Sequence, residues 1–309
     1  MDRLTAMAAF VRCVERKSFS AVAREMRTTQ PTISKLIASL EKGLGGKLFV
    51  RAARRIVLTP EGRRFYERSR AIVDAVHDAE TSFRAAREGI AGELRIASSV
   101  SFGRTMVVPR MAAFLRRYPL LRVELQLDDR FVDLVEDGVD VAFRIGALRG
   151  EDVIARRVGS AHRVTVAAPD YLQRRGEPRH PEELVDHDCI RYTGLSTQDQ
   201  WPYRHHGAAL PVRVSGTFQS NSSEAVRAAT LAGIGVALTP LWLFGDDLRA
   251  GSVVAILDDY RPEALPIHAL SPANRRSSAK VKACVDYYQS AFANDPWLRT
   301  LEGASAVAS

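Results

Sequence analysis

Three groups of side chains have types and spacings suited to molecular recognition. Gln30, Thr32, Ser34 and Lys35 share one polar face of a helical segment. An amide pairs with adenine, hydroxyls serve several bases, and an ammonium reaches guanine or phosphate, so this face suits duplex DNA. Arg51, Arg54 and Arg55 flank a short basic turn and suit the phosphate backbone. Ser98, Ser99 and Ser101 lie between an apolar run and a helix start. Free N–H groups, hydroxyls and the positive helix end together favour an anion there. Ser220-Asn221-Ser222 repeats that chemistry before another helix, and Arg144 ends a further apolar run. With Phe102 and Phe143 for apolar contact, the third group fits a small carboxylate, aromatic ones included.

Catalysis lacks comparable support. The chain contains no P-loop, no G-x-G-x-x-G and no G-x-S-x-G. The serines at 98–101 have no His placed as a general base. His180, His187, Cys189 and the pair His205-His206 match no metal-ligand spacing. The expectation is a protein that is not an enzyme, with no catalytic residues, metal or cofactor. Cys13, Cys189 and Cys284 are odd in number, far apart and outside any C-x-x-C, which argues against a disulfide framework. A redox switch through Cys189 and Cys284 remains an alternative, although nothing nearby in the sequence lowers a thiol pKa.

The elements that must position these residues follow from apolar spacing. Leu4, Met7, Phe10 and Val14 outline a first helix over 2–15. Ser18 or Ser20 caps a second, Ser20–Met26. Thr29 caps a third, Gln30 to Glu41, with Pro31 in its first turn. That helix buries Ile33, Leu36, Ile37 and Leu40, and Gly43 stops it. Two short helices joined by a tight polar turn make a helix-turn-helix pattern. Residues 48–59 read as a hairpin wing carrying the three arginines.

A helix begins near Thr59-Pro60-Glu61. Phe65, Ser69, Ile72, Val76, Ala79, Phe83 and Ala86 follow at alternating steps of four and three. That a/d stripe predicts a dimer seam formed by Phe65, Ile72, Val76, Ala79 and Phe83. Gly89 and Gly92 then break the helix. Beyond them strands and helices alternate: strands at 94–97, 123–127, 139–145, 164–168, 212–214 and 235–238, and helices at 103–118, 130–137, 223–232, 241–248 and 279–293. The alternation predicts an α/β body with a parallel sheet and crossover helices. The tail 302–309 is expected to fray.

Charge separates the same parts. Hydrophobic residues make up 46% and charged residues 26%, as in a folded globular chain. Residues 1–59 hold twelve Lys and Arg against four Asp and Glu, an excess equal to the whole chain's +8. The remainder is neutral. A basic module on a neutral body points to a polyanion partner for the module alone. No apolar run reaches the roughly 20 residues that span a bilayer, and the N-terminus does not read as a secretory signal. A cytoplasmic protein with no membrane partner is expected.

Residues 2–65 resemble the winged helix-turn-helix of LysR-type transcriptional regulators. The carrying motifs are Ser18-Phe19-Ser20-Ala21-Val22-Ala23, Gln30-Pro31-Thr32-Ile33-Ser34, Leu36-Ile37-Ala38-Ser39-Leu40-Glu41, Leu48-Phe49 and Leu58-Thr59-Pro60-Glu61-Gly62. The body is similar to the same family's two-lobed, periplasmic-binding-protein-like effector region. It matches through Gly92-Glu93-Leu94-Arg95-Ile96, Arg117-Tyr118-Pro119, Asp140 to Gly146 and Thr239-Pro240. The resemblance implies base contacts from Gln30, Pro31, Ser34 and Lys35, and phosphate contacts from the wing arginines. It implies three parts: a DNA-binding domain at 1–59, a dimerisation helix at 60–90 and an effector domain at 91–309. Within the last, lobe one is 92–161 plus 267–295 and lobe two is 162–266, hinged on two crossing strands.

Together these readings predict a sequence-specific regulator of double-stranded DNA, working as a homodimer or homotetramer under a small anionic effector. Its candidate effector residues are Ser98, Ser99, Ser101, Phe102, Arg144, Ser220 and Asn221. RNA polymerase is a further partner if the protein activates. Rival readings are a solute receptor, an architectural DNA binder without a ligand, and a thiol-based redox-sensing regulator.

Overall fold

The computed structural model describes residues 2–52, 55–130, 134, 137–148, 153–194, 199–273 and 278–298, with side chains at 51–52, 55, 77–78 and 81–88 outside the description. The chain forms two units, Met1–Ile90 and a body from Ala91 onward.

In the first unit, helix α1 spans Arg3–Arg16, α2 Phe19–Glu25 and α3 Gln30–Leu44. Each begins on a side-chain cap. Asp2 accepts from the Leu4 and Thr5 N–H groups, Ser18 from Ala21, and Thr29 from Thr32. Such caps contribute about 0.5–2 kcal/mol each. α3 runs past Gly43, a correction to the expected stop. Gly45 is the residue in the left-handed region, at φ 72°, and its N–H bonds the Lys42 carbonyl. A residue without Cβ is needed there, not two positions earlier. The core joins Phe10, Cys13, Val22, Ile33, Leu36, Ile37, Leu40 and Leu48. Strands β1, Phe49–Ala52, and β2, Arg55–Leu58, pair antiparallel as the wing.

Helix α4 spans Pro60–Glu88. Gly62 lies where its backbone meets the wing; a Cβ there would stand 2.1 Å from the Leu48 carbonyl oxygen. Phe65 stacks 5.7 Å from Phe10 and joins the reading-head core. Ser69 is fully buried. The start of the stripe is therefore covered within the chain, which removes Phe65 from the expected seam. Ile72 is 46% exposed and Ala79 is exposed, while Val76 is half-buried. The Phe83 and Ala86 side chains lie outside the described residues.

The body opens with β3, Ala91–Ser98. A continuous helical stretch follows: α5 at Val100–Phe102, a π turn at Gly103–Val107 and α6 at Val108–Arg117. Next come β4, Leu120–Leu127; β5, Val141–Ile145; β6, Val153–Ala161; and β7, Arg163–Ala167. Helix α7 is Pro169–Arg175. The short strands β8, Arg191–Tyr192; β9, Gln200–His205; β10, Ala208–Arg213; and β11, Gln219–Ser220, lead to α8, Ser223–Leu231. β12, Ala237–Pro240; α9, Leu241–Arg249; β13, Val254–Ile256; β14, Leu265–Pro272; and α10, Ala279–Ala293, complete it.

The larger sheet has the order β4-β3-β5-β14-β6. β3 is parallel to β4 and β5, as the alternation predicts, whereas β14 is antiparallel to β5 and β6. The second sheet, β12-β7-β13, is antiparallel throughout. The single parallel sheet is thus replaced by one mixed and one antiparallel sheet, because β6 and β14 carry the chain between them. Val212 and Arg213 belong to a separate β9–β10 hairpin, and Val214 lies just beyond it. The expected helix at 130–137 falls largely outside the described residues, as does the tail 302–309.

Candidate functional site

The first site is the outward face of α3. Its buried side, Ile33, Leu36, Ile37 and Leu40, fixes the helix roll. Gln30, Pro31, Thr32, Ser34 and Lys35 consequently all stand exposed. Ser20 donates to the Gln30 side-chain oxygen at 3.0 Å, so the preceding helix orients the amide. Glu41 is 9% exposed and ties the far end of α3 to the wing. It accepts from Lys47 Nζ at 2.6 Å and the Leu48 N–H at 3.0 Å. Burial alone pushes the Glu41 carboxyl up, but these two bonds outweigh it and hold the carboxyl below its ordinary value. Arg51 and Arg55 lie on the wing strands. Their side chains, and all of Arg54, lie outside the described residues.

The second site is a cleft of about 200 Å³ in the body, between its two sheets. Ser98, Ser99 and Arg144 line it, each at the carboxyl end of a strand, where open α/β sheets hold ligands. Phe143 lines it too. Four other expected residues do not. Phe102 is fully buried in an aromatic cluster, 5.6 Å from Phe292 and 5.3 Å from Trp242. Ser101 is 1% exposed, its hydroxyl buried away from the cleft lining. Ser220 is spent on local structure: β11 pairs it with Tyr192, and its hydroxyl accepts from the Ser222 N–H. Asn221 is exposed outside the cleft lining. The neighbouring Ser223 lines the cleft instead.

The helix N-terminus after Ser99 is already occupied. The Val100 N–H donates to Asp129 Oδ1 at 3.0 Å. A carboxylate from the chain itself therefore sits where the sequence predicts an anion from outside.

Several lining residues carry no local sequence signal. Arg163, Leu238 and Thr239 come from the second sheet, Trp242 from α9 that follows it, and Trp201 from the β9–β10 hairpin. Their only signature is apolar or β-prone surroundings, which core residues share. Among the described residues, three buried polar atoms on the lining have no hydrogen-bond partner: Ser98 Oγ, Arg163 Nε and Trp242 Nε1. Such atoms cost free energy when left alone, on the order of 1–3 kcal/mol each. Beside the cleft, Arg104 of the π turn donates through Nε and Nη2 to Glu224 of α8, at 3.1 and 2.7 Å. Among the described residues no three His, Cys, Asp or Glu side chains could hold a metal ion. No described helix is long and apolar enough to cross a membrane.

Comparison with known proteins covers both sites. Residues 4–63 match the bacterial regulatory helix-turn-helix proteins of the lysR family, and residues 87–293 match the LysR substrate binding domain. Among relatives, the HTH-type transcriptional regulator YhjC of Escherichia coli is 34% identical, covering 91% of this chain and 95% of that protein. DmlR of E. coli is 32% identical and covers 92% of each. The structure of CrgA, a LysR-type transcriptional regulator from Neisseria meningitidis, covers 93% of this chain and 98% of its own. Its TM-score is 0.61 at 27% identity.

Proposed function

The chain belongs to the LysR family of DNA-binding transcriptional regulators, and on that premise we propose how it reads DNA and what controls it. The family is one of regulators, not enzymes. Gln30, Pro31, Thr32, Ser34 and Lys35 touch base edges in the major groove, while Arg51, Arg54 and Arg55 neutralise phosphates. Two copies joined through α4, at Ile72, Val76, Ala79 and Phe83, present two reading heads to a two-fold operator, as a dimer or within a tetramer. The parts divide as 1–59, 60–90 and 91–309, and the protein acts in the cytoplasm. RNA polymerase is its further partner if it activates.

Control comes from a small carboxylate-bearing effector in the cleft. The observation that carries this reading is the set of unpartnered buried atoms on the cleft lining: Ser98 Oγ, Arg163 Nε and Trp242 Nε1. A ligand that bonds them binds one arrangement of the two sheets better than others. That difference shifts the population and, through it, the geometry of the DNA-bound pair. The thiol-based alternative has less support. Burial pushes Cys13 and Cys189 up to about 12, and Cys284 is pushed up as well, away from the reactive thiolate.

Selection from random duplex DNA at near-physiological salt tests the first half. An enriched interrupted palindrome is expected. Tight binding with no enriched sequence would reduce the protein to a non-specific binder.

A further inference from the structure

Arg163 opens β7, just after the chain leaves β6 for the second sheet, and its backbone pairs with Pro240. The side chain is 8% exposed. Nη2 donates to the Glu263 carbonyl at 3.0 Å, while Nε is buried without an acceptor. The Glu263 charge offsets part of the burial cost, but its carboxylate forms its ion pair with Arg204, at 3.4 Å. Among the described residues no carboxylate forms an ion pair with Arg163. Burial accordingly pulls this guanidinium below its ordinary pKa. A buried cation whose charge is only partly offset is costly, and a bound anion would lower that cost.

The surroundings narrow that supply. Trp242, two residues beyond Arg163's cross-strand partner, lines the same cleft with its indole N–H unpartnered. Phe143, Trp201, Val226 and Leu238 give the cleft an apolar wall, beside the charged Asp128, Asp129 and Arg130 that also line it. Arg144 lines the cleft but already has interactions within the chain. The Val100 N–H holds Asp129. At about 200 Å³ the cleft is smaller than the ~300–1,000 Å³ of drug-sized sites.

We infer that the effector is a compact apolar or aromatic monocarboxylate whose carboxylate seats on Arg163 beside the Trp242 indole, not on the helix N-terminus at Val100. This rests on the effector-cleft reading above and assigns its charged subsite. A guanidinium edge offers a carboxylate two parallel donors, so an amide of the same shape binds far more weakly.

The test is thermal unfolding and titration of the full chain with a panel of small monocarboxylates, benzoate and cyclohexanecarboxylate among them, each beside its primary amide. Wild type should be stabilised by at least one acid and not by its amide. Arg163→Met should weaken that acid by tenfold or more, and Arg163→Lys by less. Asn221→Ala, exposed outside the cleft lining, should change it under twofold. Without ligand, Arg163→Met should melt no lower than wild type, because it removes a buried charge that Glu263 only partly offsets; a lower value would mark a structural arginine and overturn the assignment. Equal acid binding by Arg163→Met overturns the assignment and leaves the cleft reading standing. Stabilisation by amides alone, or by no acid, also overturns it. A Leu238→Trp variant, which fills the cleft, separates the two ideas. A neutral ligand that it abolishes keeps the cleft and discards the carboxylate, whereas any ligand that it leaves bound discards the cleft itself.

Discussion

Replacing Glu41 by Ala should unfasten the wing from the reading helix. Two bonds are lost. The one to the Leu48 N–H is buried, with a charged acceptor, and such bonds contribute about 1.5–3 kcal/mol. The Lys47 partner is 70% exposed, so that pair adds only about 0.2–1 kcal/mol. The sum is roughly 2–4 kcal/mol. In a unit of this size 1 kcal/mol moves the melting temperature by about 4–8 °C, so a fall of roughly 8–30 °C is expected. Glu41→Gln keeps an acceptor and should fall by less. Calorimetry on the full chain reads this, the relevant transition being the one that operator DNA raises. The pH dependence has a definite sign. Because the folded carboxyl titrates below its ordinary value, its stabilisation is complete above about pH 5 and is lost as pH falls through the folded pKa. Glu41→Gln should flatten that slope. A Glu41→Ala transition within 2 °C of wild type, or an unchanged acid slope in Glu41→Gln, would refute the reasoning.

Gln30→Ala should cost about 1–3 kcal/mol per half-site and relax preference at one base position in a footprint of the selected operator; unchanged preference would remove Gln30 from the base contacts. The Arg104–Glu224 pair, with side chains 55% and 32% exposed, should show a coupling of about 0.2–1 kcal/mol in a double-mutant cycle of Arg104→Ala and Glu224→Ala melts. Strict additivity would mean the contact holds nothing. In folded protein at pH 7.5 Ellman's reagent should find none of the three thiols within minutes, and all three after denaturation. Prompt labelling of Cys189 or Cys284 would revive the redox alternative.

The reading head was legible because its signals are local. Ser18, Thr29 and Pro31 mark helix starts by chemistry confined to a few residues, and Ile33, Leu36, Ile37 and Leu40 set the face opposite Gln30 and Lys35. The cleft was legible only where it shares that property. Ser98, Ser99 and Arg144 sit at strand ends that the pattern of the chain announces. Arg163 and Trp242 acquire their role by being brought across from the second sheet and the helix that follows it, and no spacing encodes that. β6 escaped notice because Arg156 and Arg157 interrupt its apolar pattern. They are held by Asp286, Gln289 and Ser160. β14 was disguised by prolines at Pro266 and Pro272. Phe102 and Phe65 show the opposite error. An aromatic residue beside a site suits ligand contact and core packing alike, and here packing took both.

The π turn at Gly103–Val107 leaves a phase offset in the body's first helix. Each residue advances an α-helix by about 100°, so one extra residue in a turn rotates everything before it relative to everything after by that amount. Downstream, Phe114 is locked against Tyr287 and Tyr288. Upstream, the chain must deliver Ser99 to the cleft, while Arg104, within the turn, reaches Glu224. Deleting a single residue between 103 and 107 would restore regular winding while turning Ser99 by about a quarter of a circle. The irregular turn thus works as a fixed angular spacer, letting one helix satisfy a packed aromatic wall at one end and the cleft at the other.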